Sequence, residues 1–368
     1  MKVLISGANG FVAKNLRVHL SERDDVDVVI FTREHSIDDL TILIKDADFI
    51  FHLAGVNRPK NIDEFKQGNA DLTVTLCNMI ELSKKKIPVV FGSSIQAELD
   101  NPYGKSKLLA EKALLDFSER THNPVYLFRL PNVFGKWCKP NYNSAVATFC
   151  HNIANDLPIH INDPSASMQL VYIDDVINRF VSIMDGEKTK ELYCDVDPVY
   201  EVTVGEVAKK IQAFKASRST LVTERVGSGF DRALHSTYLS YLPAEDFSYD
   251  LVKHSDSRGV FVEMLKTRGC GQFSFFSAHP GITRGGHYHH TKTEKFLVLK
   301  GEALFRFRNI MTDEFYELKT SGQMPTVVET VPGWTHDITN IGHEEMFVML
   351  WANEIFDREH PDTYARPL

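Results

Sequence analysis

Cysteine and long apolar runs are what this sequence has least of. Its five cysteines (Cys77, Cys138, Cys150, Cys194 and Cys270) are scattered, odd in number and form no C-x-x-C pair. That fits reduced thiols in a cytoplasmic protein and gives no basis for a disulfide framework. No apolar stretch approaches the ~18–20 residues of a membrane span, and the strand-like VLIS near the start follows no signal-peptide pattern. Basic runs are also missing, and the net charge is −8, so neither nucleic acid nor a membrane surface is expected as a partner. What remains is ordinary for a globular chain, 43% hydrophobic and 24% charged over 368 residues, long enough for two domains with cores of their own.

Histidine is unevenly spread. Eight of the 15 lie in residues 244–368, which marks that stretch as a separate unit. Before it, short apolar runs at 3–5, 26–31, 49–53, 89–91 and 125–130 alternate with helix-length periodic segments at about 11–20, 63–84, 104–120 and 142–155. Such alternation predicts βαβ units around a doubly wound parallel sheet. A further helix is expected from Thr203, because Thr203-Val-Gly-Glu206 has the form of a capping box. Past "YLPAEDFSYDL" come runs of β-formers, "GVFVEML", "GQFSFFS", "EKFLVLKG", "EALFRFRN" and "EEMFVMLWAN", punctuated by Gly and Pro. This is the pattern of an all-β sandwich or barrel. The expected architecture is therefore α/β over residues 1–243 and all-β over 244–368.

The chain opens with "VLISGANGFVAKNL". Gly7-x-x-Gly10-x-x-Ala13 follows a strand and starts a helix. There the first glycine permits a tight turn, the second lets backbone approach a pyrophosphate on the helix N-terminus, and Ala13 packs helix on strand. Three small residues alone also suit a merely tight βα turn, and the strand–turn–helix context favours the nucleotide. The second strand ends "VIFTREH". Where an acid would bind the ribose 2′-OH of NAD, Thr32 and Arg33 stand, and an arginine favours the 2′-phosphate of NADPH. In "NPYGKSK", Tyr103 and Lys107 are four apart and share a helix face. An ammonium close to a phenol, whose reference pKa is ~10, favours phenolate and tunes the group as a proton donor. Upstream, Ser93 and Ser94 offer a hydroxyl for a carbonyl oxygen.

Taken together, GANGFVA, His52-Leu-Ala-Gly55, the two serines, Tyr103-x-x-x-Lys107, "RLPNVFG" and "VYIDDV" resemble an extended short-chain dehydrogenase/reductase over the first ~240 residues. The resemblance implies that Ser94 is the catalytic serine, that Tyr103 is the acid, and that Lys107 tunes Tyr103 and holds the nicotinamide ribose. It puts Gly7, Asn9, Gly10, Phe11, Val12, Arg33, Leu53, Ala54 and Gly55 at the cofactor, with Tyr103 and Lys107, and Asn132 near the substrate. Two features depart from that family. Only eight residues separate Ser94 from Tyr103, and Met168 stands where sugar-nucleotide members carry a pyrophosphate-binding arginine. Lys136 or another basic residue is expected to take over that contact.

In "GITRGGHYHHTKTEKFLVLKG", His287 and His289 lie on one face of a strand, and a turn returns Glu294 toward them. Downstream, "PGWTHDITN" supplies Gly333, His336 and Asn340. Imidazole and carboxylate ligands suit Zn²⁺, with Fe²⁺, Ni²⁺ or Mn²⁺ as alternatives. A solvated histidine cluster explains a lone H-x-H but not the spaced Glu294 and His336. His290 falls on the opposite face and is the lesser ligand or base. The spacing resembles the two motifs of the cupin family, apart from Pro332 next to Gly333, and implies a jelly-roll β-barrel with His287, His289, Glu294 and His336 as metal ligands. "DSRGVFVE" at 256–263 resembles the nucleotide-sugar 3,5-epimerases, and Arg258-Gly259 also suits a plain β-turn.

A reductase fused to an epimerase-like cupin resembles, across the whole chain, the CapF-like family of capsular-polysaccharide enzymes. That resemblance implies a homodimer acting on a UDP-4-keto-6-deoxy-hexosamine. The cupin domain would epimerise C3. The first domain would reduce the C4 ketone with NADPH to UDP-2-acetamido-2,6-dideoxy-L-talose. The base of the first step stays open among a histidine, Lys292, Lys295 and a metal-bound hydroxide. Two other functions fit parts of the sequence: a reductase with a structural or sugar-binding cupin, and a non-catalytic NADPH sensor.

Overall fold

Val3 and Ile5 face one apolar core and Leu4, between them, faces another. A strand apolar on both faces must be covered on both, and in the computed structural model it is. The structure describes residues 1–368 except Lys188, Lys190, Glu191, Thr291 and Met311, and the side chain of Glu245. Five parallel strands, β1 (Lys2–Ser6), β2 (Asp27–Phe31), β3 (Phe49–His52), β4 (Val89–Ser94) and β5 (Val125–Leu130), form a sheet of order β2-β1-β3-β4-β5. The helices Phe11–Ser21 and Ile173–Met184 bring Leu16, Leu20, Ile177 and Phe180 onto one face. The helices Ile37–Asp46, Leu72–Ser83 and Pro102–Thr121 bring Leu40, Ile44, Leu76, Ile80, Leu114 and Phe117 onto the other, at the three- and four-residue spacing of an amphipathic helix. Chain order reverses at β1, whose neighbours β2 and β3 run away in opposite directions, so a crevice opens beyond the ends of β1 and β3. A smaller sheet joins β6 (Asn132–Phe134), β7 (Ser167–Tyr172) and β8 (Val199–Thr203).

The expected doubly wound parallel sheet is present. The capping box at Thr203 forms as its spacing predicts, with Glu206 accepting from the Thr203 N–H at 2.7 Å and Thr203 accepting from the Glu206 N–H at 3.2 Å. The helix Ile37–Asp46, absent from the periodic segments picked out above, starts on a second such box. Asp39 accepts from the Ser36 N–H at 2.7 Å.

The later part of the chain is largely β, as expected. One sheet has the order β10-β11-β12-β19-β14-β17, from β10 (Lys253–Asp256), β11 (Gly259–Thr267), β12 (Gly271–Ala278), β14 (Glu294–Lys300), β17 (Val327–Glu329) and β19 (Met346–Ala352), with β9 (Val222–Thr223) alongside β11. The other runs β16-β15-β18-β13-β20, from β13 (Thr283–Tyr288), β15 (Glu302–Asn309), β16 (Phe315–Ser321), β18 (Trp334–Asn340) and β20 (Tyr364–Ala365). Phe276, Phe296 and Val348 from the first sheet and Phe305, Phe307 and Ile338 from the second share one core.

The chain folds as two compact units: Met1–Ile211 with Arg232–Leu242, and Gln212–Asp231 with Pro243–Leu368. The junction after Leu242 is next to the sequence-based boundary at 243/244. Residues 212–231, assigned above to the first domain, belong instead to the second unit. The reason is pairing: β9 lies in parallel register on Lys266 and Thr267 of β11.

Asn340, picked out as part of a metal motif, is fully buried and ties three segments together. Its amide donates to the carbonyls of Ala278 (2.9 Å) and Glu344 (2.8 Å), and its oxygen accepts from the Gly342 N–H at 2.9 Å. Replacing Asn340 by Ala strands buried polar groups, each costing about 1–3 kcal/mol. Asn340→Ala is expected to lower the denaturant midpoint of the β unit accordingly; an unchanged midpoint would refute this role.

Candidate active sites

The crevice at the end of β1 is shaped by a glycine that nothing else could replace. Gly7 has φ +68°, and a Cβ on it would sit 2.5 Å from the Ala54 Cα. Gly10 then caps the helix Phe11–Ser21 without any side-chain hydrogen bond, so the N–H groups at the helix start are left for a ligand. A tight turn that only linked strand to helix would have no use for an uncapped terminus. The cradle fits a dinucleotide pyrophosphate. The cleft beside it encloses about 560 Å³. Of the sequence-predicted cofactor residues, Asn9, Gly10, Phe11, Val12, Leu53 and Gly55 line it, together with Ser94, Tyr103, Lys107 and Asn132. Gly7 and Ala54, in close backbone contact with each other, are not part of the lining. Arg33 lies exposed just past the end of β2 and is not part of the lining.

The two serines separate. Ser93 is buried and donates to Glu111 at 2.5 Å, within a network in which Arg129 also donates to Glu111 at 2.6 Å. Ser94 lines the cleft beside Tyr103, and its hydroxyl accepts from the Gln96 N–H at 3.2 Å. The short link from Ser94 to Tyr103 is possible because Gly104 has no side chain: a Cβ there would stand 2.0 Å from the Gln96 carbonyl oxygen. Burial pushes the Tyr103 phenol up, and the Ser94 hydroxyl pulls it partly back. Burial pushes Lys107 down to about 8, opposed by Glu111. Its ammonium donates to the Gly92 carbonyl at 2.8 Å. Tyr103 and Lys107 both line the cleft, as their spacing on the helix predicts.

Lys136 is not brought into the lining. Its ammonium pairs with Asp174 at 2.5 Å, close to the Trp137 ring. Besides Lys107, the basic side chains that line the cleft are Lys14 and Lys139. Lys139 and Arg58 both lie against the Tyr142 ring, at 5.2 and 5.5 Å, and Arg58 lines a neighbouring cavity of about 670 Å³. Met168 sits in the cleft lining where the family carries its arginine.

In the β unit, His287 and His336 are cross-strand partners on β13 and β18, and Glu294 opens β14 of the opposing sheet. A β-bulge between Gly285 and His287 re-aims the histidine. One ligand atom from each of His287, His289, Glu294 and His336 lies within 4.8 Å of all the others. His289 Nε2 is 3.2 Å from Glu294 Oε2, and His336 Nε2 is 3.5 Å from the same oxygen. His289 Nδ1 faces the Asp362 carbonyl at 2.5 Å, so that nitrogen carries the proton and Nε2 turns a lone pair on a carboxylate. His336 Nε2 is buried without a hydrogen-bond partner. Acceptors converging in this way repel unless a cation lies between them, and the donor set fits a divalent transition metal. Burial pushes the Glu294 carboxyl up, and the Lys292 ammonium, 3.1 Å away, pulls it down. Burial, with the neighbouring histidines, lowers His287 to about 4, so it is neutral at pH 7. His290 is exposed, with its ring against Tyr288 and Tyr364, and stands outside the set.

Sequence reasoning missed the groups that hold these residues. His52 is buried between Ser6 (2.6 Å) and Thr73 (2.9 Å), and Thr73 donates to the Asn69 carbonyl at 2.6 Å. Asn69 lies in the π-helical turn Lys66–Asp71 and fixes the loop after β3 through both Val56 backbone groups. Asp362 is the corresponding omission in the β unit. Ser6, Thr73 and Asp362 lie 46, 21 and 73 positions from the histidines they hold, so no local spacing pattern exposes them.

A glycine cradle at a strand-order switch, with Ser94, Tyr103 and Lys107 on its wall, defines a nicotinamide-dependent enzyme fold. The NAD dependent epimerase/dehydratase family matches residues 3–194, and the chain belongs to it. The polysaccharide biosynthesis C-terminal domain matches residues 254–364. Over 365 residues, 99% of this chain and 98% of the relative, the protein is 61% identical to UDP-2-acetamido-2,6-beta-L-arabino-hexul-4-ose reductase of Pseudomonas aeruginosa. It superposes on the crystal structure of the capsular polysaccharide assembling protein CapF of Staphylococcus aureus with a TM-score of 0.93, at 42% identity and full coverage of both chains (100%). A structure of CapF with the inhibitor 3-isopropenyl-tropolone matches with a TM-score of 0.87 at 39% identity and the same coverage, 100% of each chain. The protein is CapF-like, a member of the capsular-polysaccharide biosynthesis group. Among the described residues no helix is long and apolar enough to cross a membrane.

Burial lowers His52 to about 3, with a further contribution from Lys107. Its folded pKa lies below its unfolded value of ~6.5, so the unfolded chain takes up the proton first. Stability is unaffected above that value and falls as the pH drops toward 3, by about 1.4 kcal/mol per pH unit for this group. His52→Asn is expected to flatten the pH dependence of the denaturation midpoint of the first unit between pH 6.5 and 4.5. Parallel profiles for the two proteins would show that His52 is not responsible.

Proposed function

We propose that the protein converts a UDP-4-keto-6-deoxy-N-acetylhexosamine in two steps. The β unit, read as a cupin jelly roll, epimerises C3. The first unit then reduces the C4 ketone with NADPH to UDP-2-acetamido-2,6-dideoxy-L-talose, for capsule or O-antigen synthesis. The reading takes residues 1–243 and 244–368 as the functional domains, and a cytoplasmic homodimer as the working form. The observation that carries it is the presence, in one chain, of two separate reactive clusters suited to two reactions of a ketone. The P. aeruginosa reductase, 61% identical over 365 residues, supports the substrate class and the reduction.

Ketone chemistry links the steps. A carbonyl at C4 acidifies the proton on C3, and a base that removes and returns that proton inverts the centre. A divalent cation, Zn²⁺ in this reading, would supply Lewis acidity toward the C4 carbonyl when held by His287, His289, Glu294 and His336. Of the two lysines considered as base, Lys295 is exposed and paired with Glu329, whereas Lys292 is buried with its ammonium 3.1 Å from Glu294. Position favours Lys292.

For the reduction, the nicotinamide supplies the hydride. Ser94 and Tyr103 both line the cleft, and in this reading both hydroxyls reach one carbonyl oxygen. Ser94 holds that oxygen and Tyr103 protonates it as the alkoxide forms. The raised pKa of the Tyr103 phenol keeps its proton in place until then. Lys107, deep in the cleft and directed at Gly92, is placed to hold the nicotinamide ribose. Arg33 would meet the 2′-phosphate, and Asn132 the sugar.

The test follows both reactions in D₂O with metal-loaded protein, NADPH and the 4-keto UDP-sugar. Tyr103→Phe is expected to cut NADPH oxidation by about 10²–10⁴-fold while deuterium still enters C3. His336→Ala is expected to abolish deuterium entry. Absence of C3 exchange in the metal-loaded wild type would reduce the proposal to a reductase with a binding or structural β unit. Undiminished oxidation by Tyr103→Phe would remove the assigned acid.

A further inference from the structure

After β19 ends at Ala352, the chain returns to the histidines, and Asp362, Tyr364, Ala365 and Arg366 contact the cluster or its immediate neighbours. The Asp362 carbonyl faces His289 Nδ1 at 2.5 Å. The Asp362 carboxylate accepts the His290 N–H on one oxygen (2.9 Å) and the Lys292 N–H on the other (2.8 Å). Tyr364 and Ala365 pair with Tyr288 and His287 as β20 on β13, and the Tyr364 and Tyr288 rings stack at 5.3 Å. The Arg366 N–H donates to the Gly286 carbonyl at 2.8 Å, and the Arg366 carbonyl accepts from the Thr335 hydroxyl beside His336.

We infer that this C-terminal clasp, residues 362–366, assembles the metal site, and that Asp362 is its positioning residue: the carboxylate pins the turn after His289, and the carbonyl fixes the His289 tautomer. The inference rests on the reading of the cluster as a metal site. It goes beyond that reading by making the site depend on residues about 70 positions away from His289.

The physical case is that a histidine can ligate only through an unprotonated nitrogen aimed at the ion. Unrestrained, the His289 ring would sample both tautomers and rotate about its side-chain bonds. A carbonyl on Nδ1 selects the form whose Nε2 lone pair points at Glu294, and it makes that nitrogen a better donor. The carbonyl can do this only if its own peptide is held, and the two N–H groups on the Asp362 carboxylate hold it. A carboxylate that merely stabilised a turn would need no carbonyl on the imidazole. Tyr364 and Ala365 add a short strand that keeps the clasp in register with His287.

Zn²⁺ affinity should be measured on the full-length chain by competition with a chelating indicator, and the His289 tautomer on the metal-free chain by ¹⁵N NMR of the imidazoles. Wild type is expected to bind one Zn²⁺ and to show a single Nδ1–H tautomer. Asp362→Ala is expected to weaken Zn²⁺ binding by about 10–100-fold and to give mixed tautomers. Asp362→Asn keeps one acceptor oxygen but turns an NH₂ on the other N–H, and should fall between. Should Asp362→Ala lose the near-ultraviolet signature of a packed β unit, Asp362→Asn alone decides. Unchanged affinity and an unchanged tautomer in a folded Asp362 variant overturn the inference and leave the metal reading intact. A wild-type chain that binds no Zn²⁺ overturns both.

Discussion

The first unit turns on the contact between Gly7 and Ala54. The strands β1 and β3 are adjacent in the sheet but separate in sequence, and the turns that leave them meet with no room for a side chain. That approach keeps the loop after β3 down against the sheet, beside the helix start that Gly10 leaves uncapped. The rest of the cleft is referred to it. Asn69 holds the same loop from the other side, and a Cβ on Gly55 would come within 3.3 Å of the Lys107 ammonium. A nucleotide cradle and a reactive lysine thus share one small backbone feature.

Both units solve the same electrostatic problem. Each buries charge beside its reactive groups, where an unpaired ion would be strongly disfavoured. In the first, the fully buried Glu111 takes Ser93 and Arg129 and also supports the charged form of Lys107. In the second, the Lys292 ammonium lies 3.1 Å from the buried Glu294. The difference lies in what is left over. Glu111 is saturated by donors within its own network, which suits a supporting role. Glu294 instead lies among three imidazoles in a donor set that fits a divalent cation.

The legible part of this protein was the part written locally. Alternation of apolar runs and helical segments led to the parallel sheet, and the spacing of His287, His289 and Glu294 led to a cluster that does form. His290 is exposed, as strand alternation implied, although β13 ends at Tyr288 and both His289 and His290 lie beyond it. What stayed hidden was decided by partners distant in sequence. Nothing near Lys136 announces that Asp174 captures it. Nothing in residues 212–231 announces that two of them extend a sheet of the second unit. Ser93 and Ser94 are adjacent and chemically identical, and their different fates come from Glu111 on one side and the cleft on the other. The helix Ile37–Asp46 is the exception, since its Ser36–Asp39 capping box was readable and passed over.

Under the proposed chemistry, the order of the two reactions follows from what each leaves behind. Epimerisation at C3 needs the C4 ketone, and it returns the ketone unchanged, so that step alone only equilibrates two isomers. Reduction removes the ketone and with it the acidity of C3. Once C4 is an alcohol, a base beside Glu294 can no longer exchange the C3 proton. A hydride donor is therefore also a stereochemical lock, and the isomer on which Tyr103 and Ser94 act is the one that accumulates. This places specificity in the reductase cleft rather than at the metal. The metal site need only labilise a proton, whereas the cleft must distinguish two ketones that differ at a neighbouring carbon. The unusual features of that cleft, Met168 in place of the arginine and Lys139 on its wall, lie where such a distinction would be made.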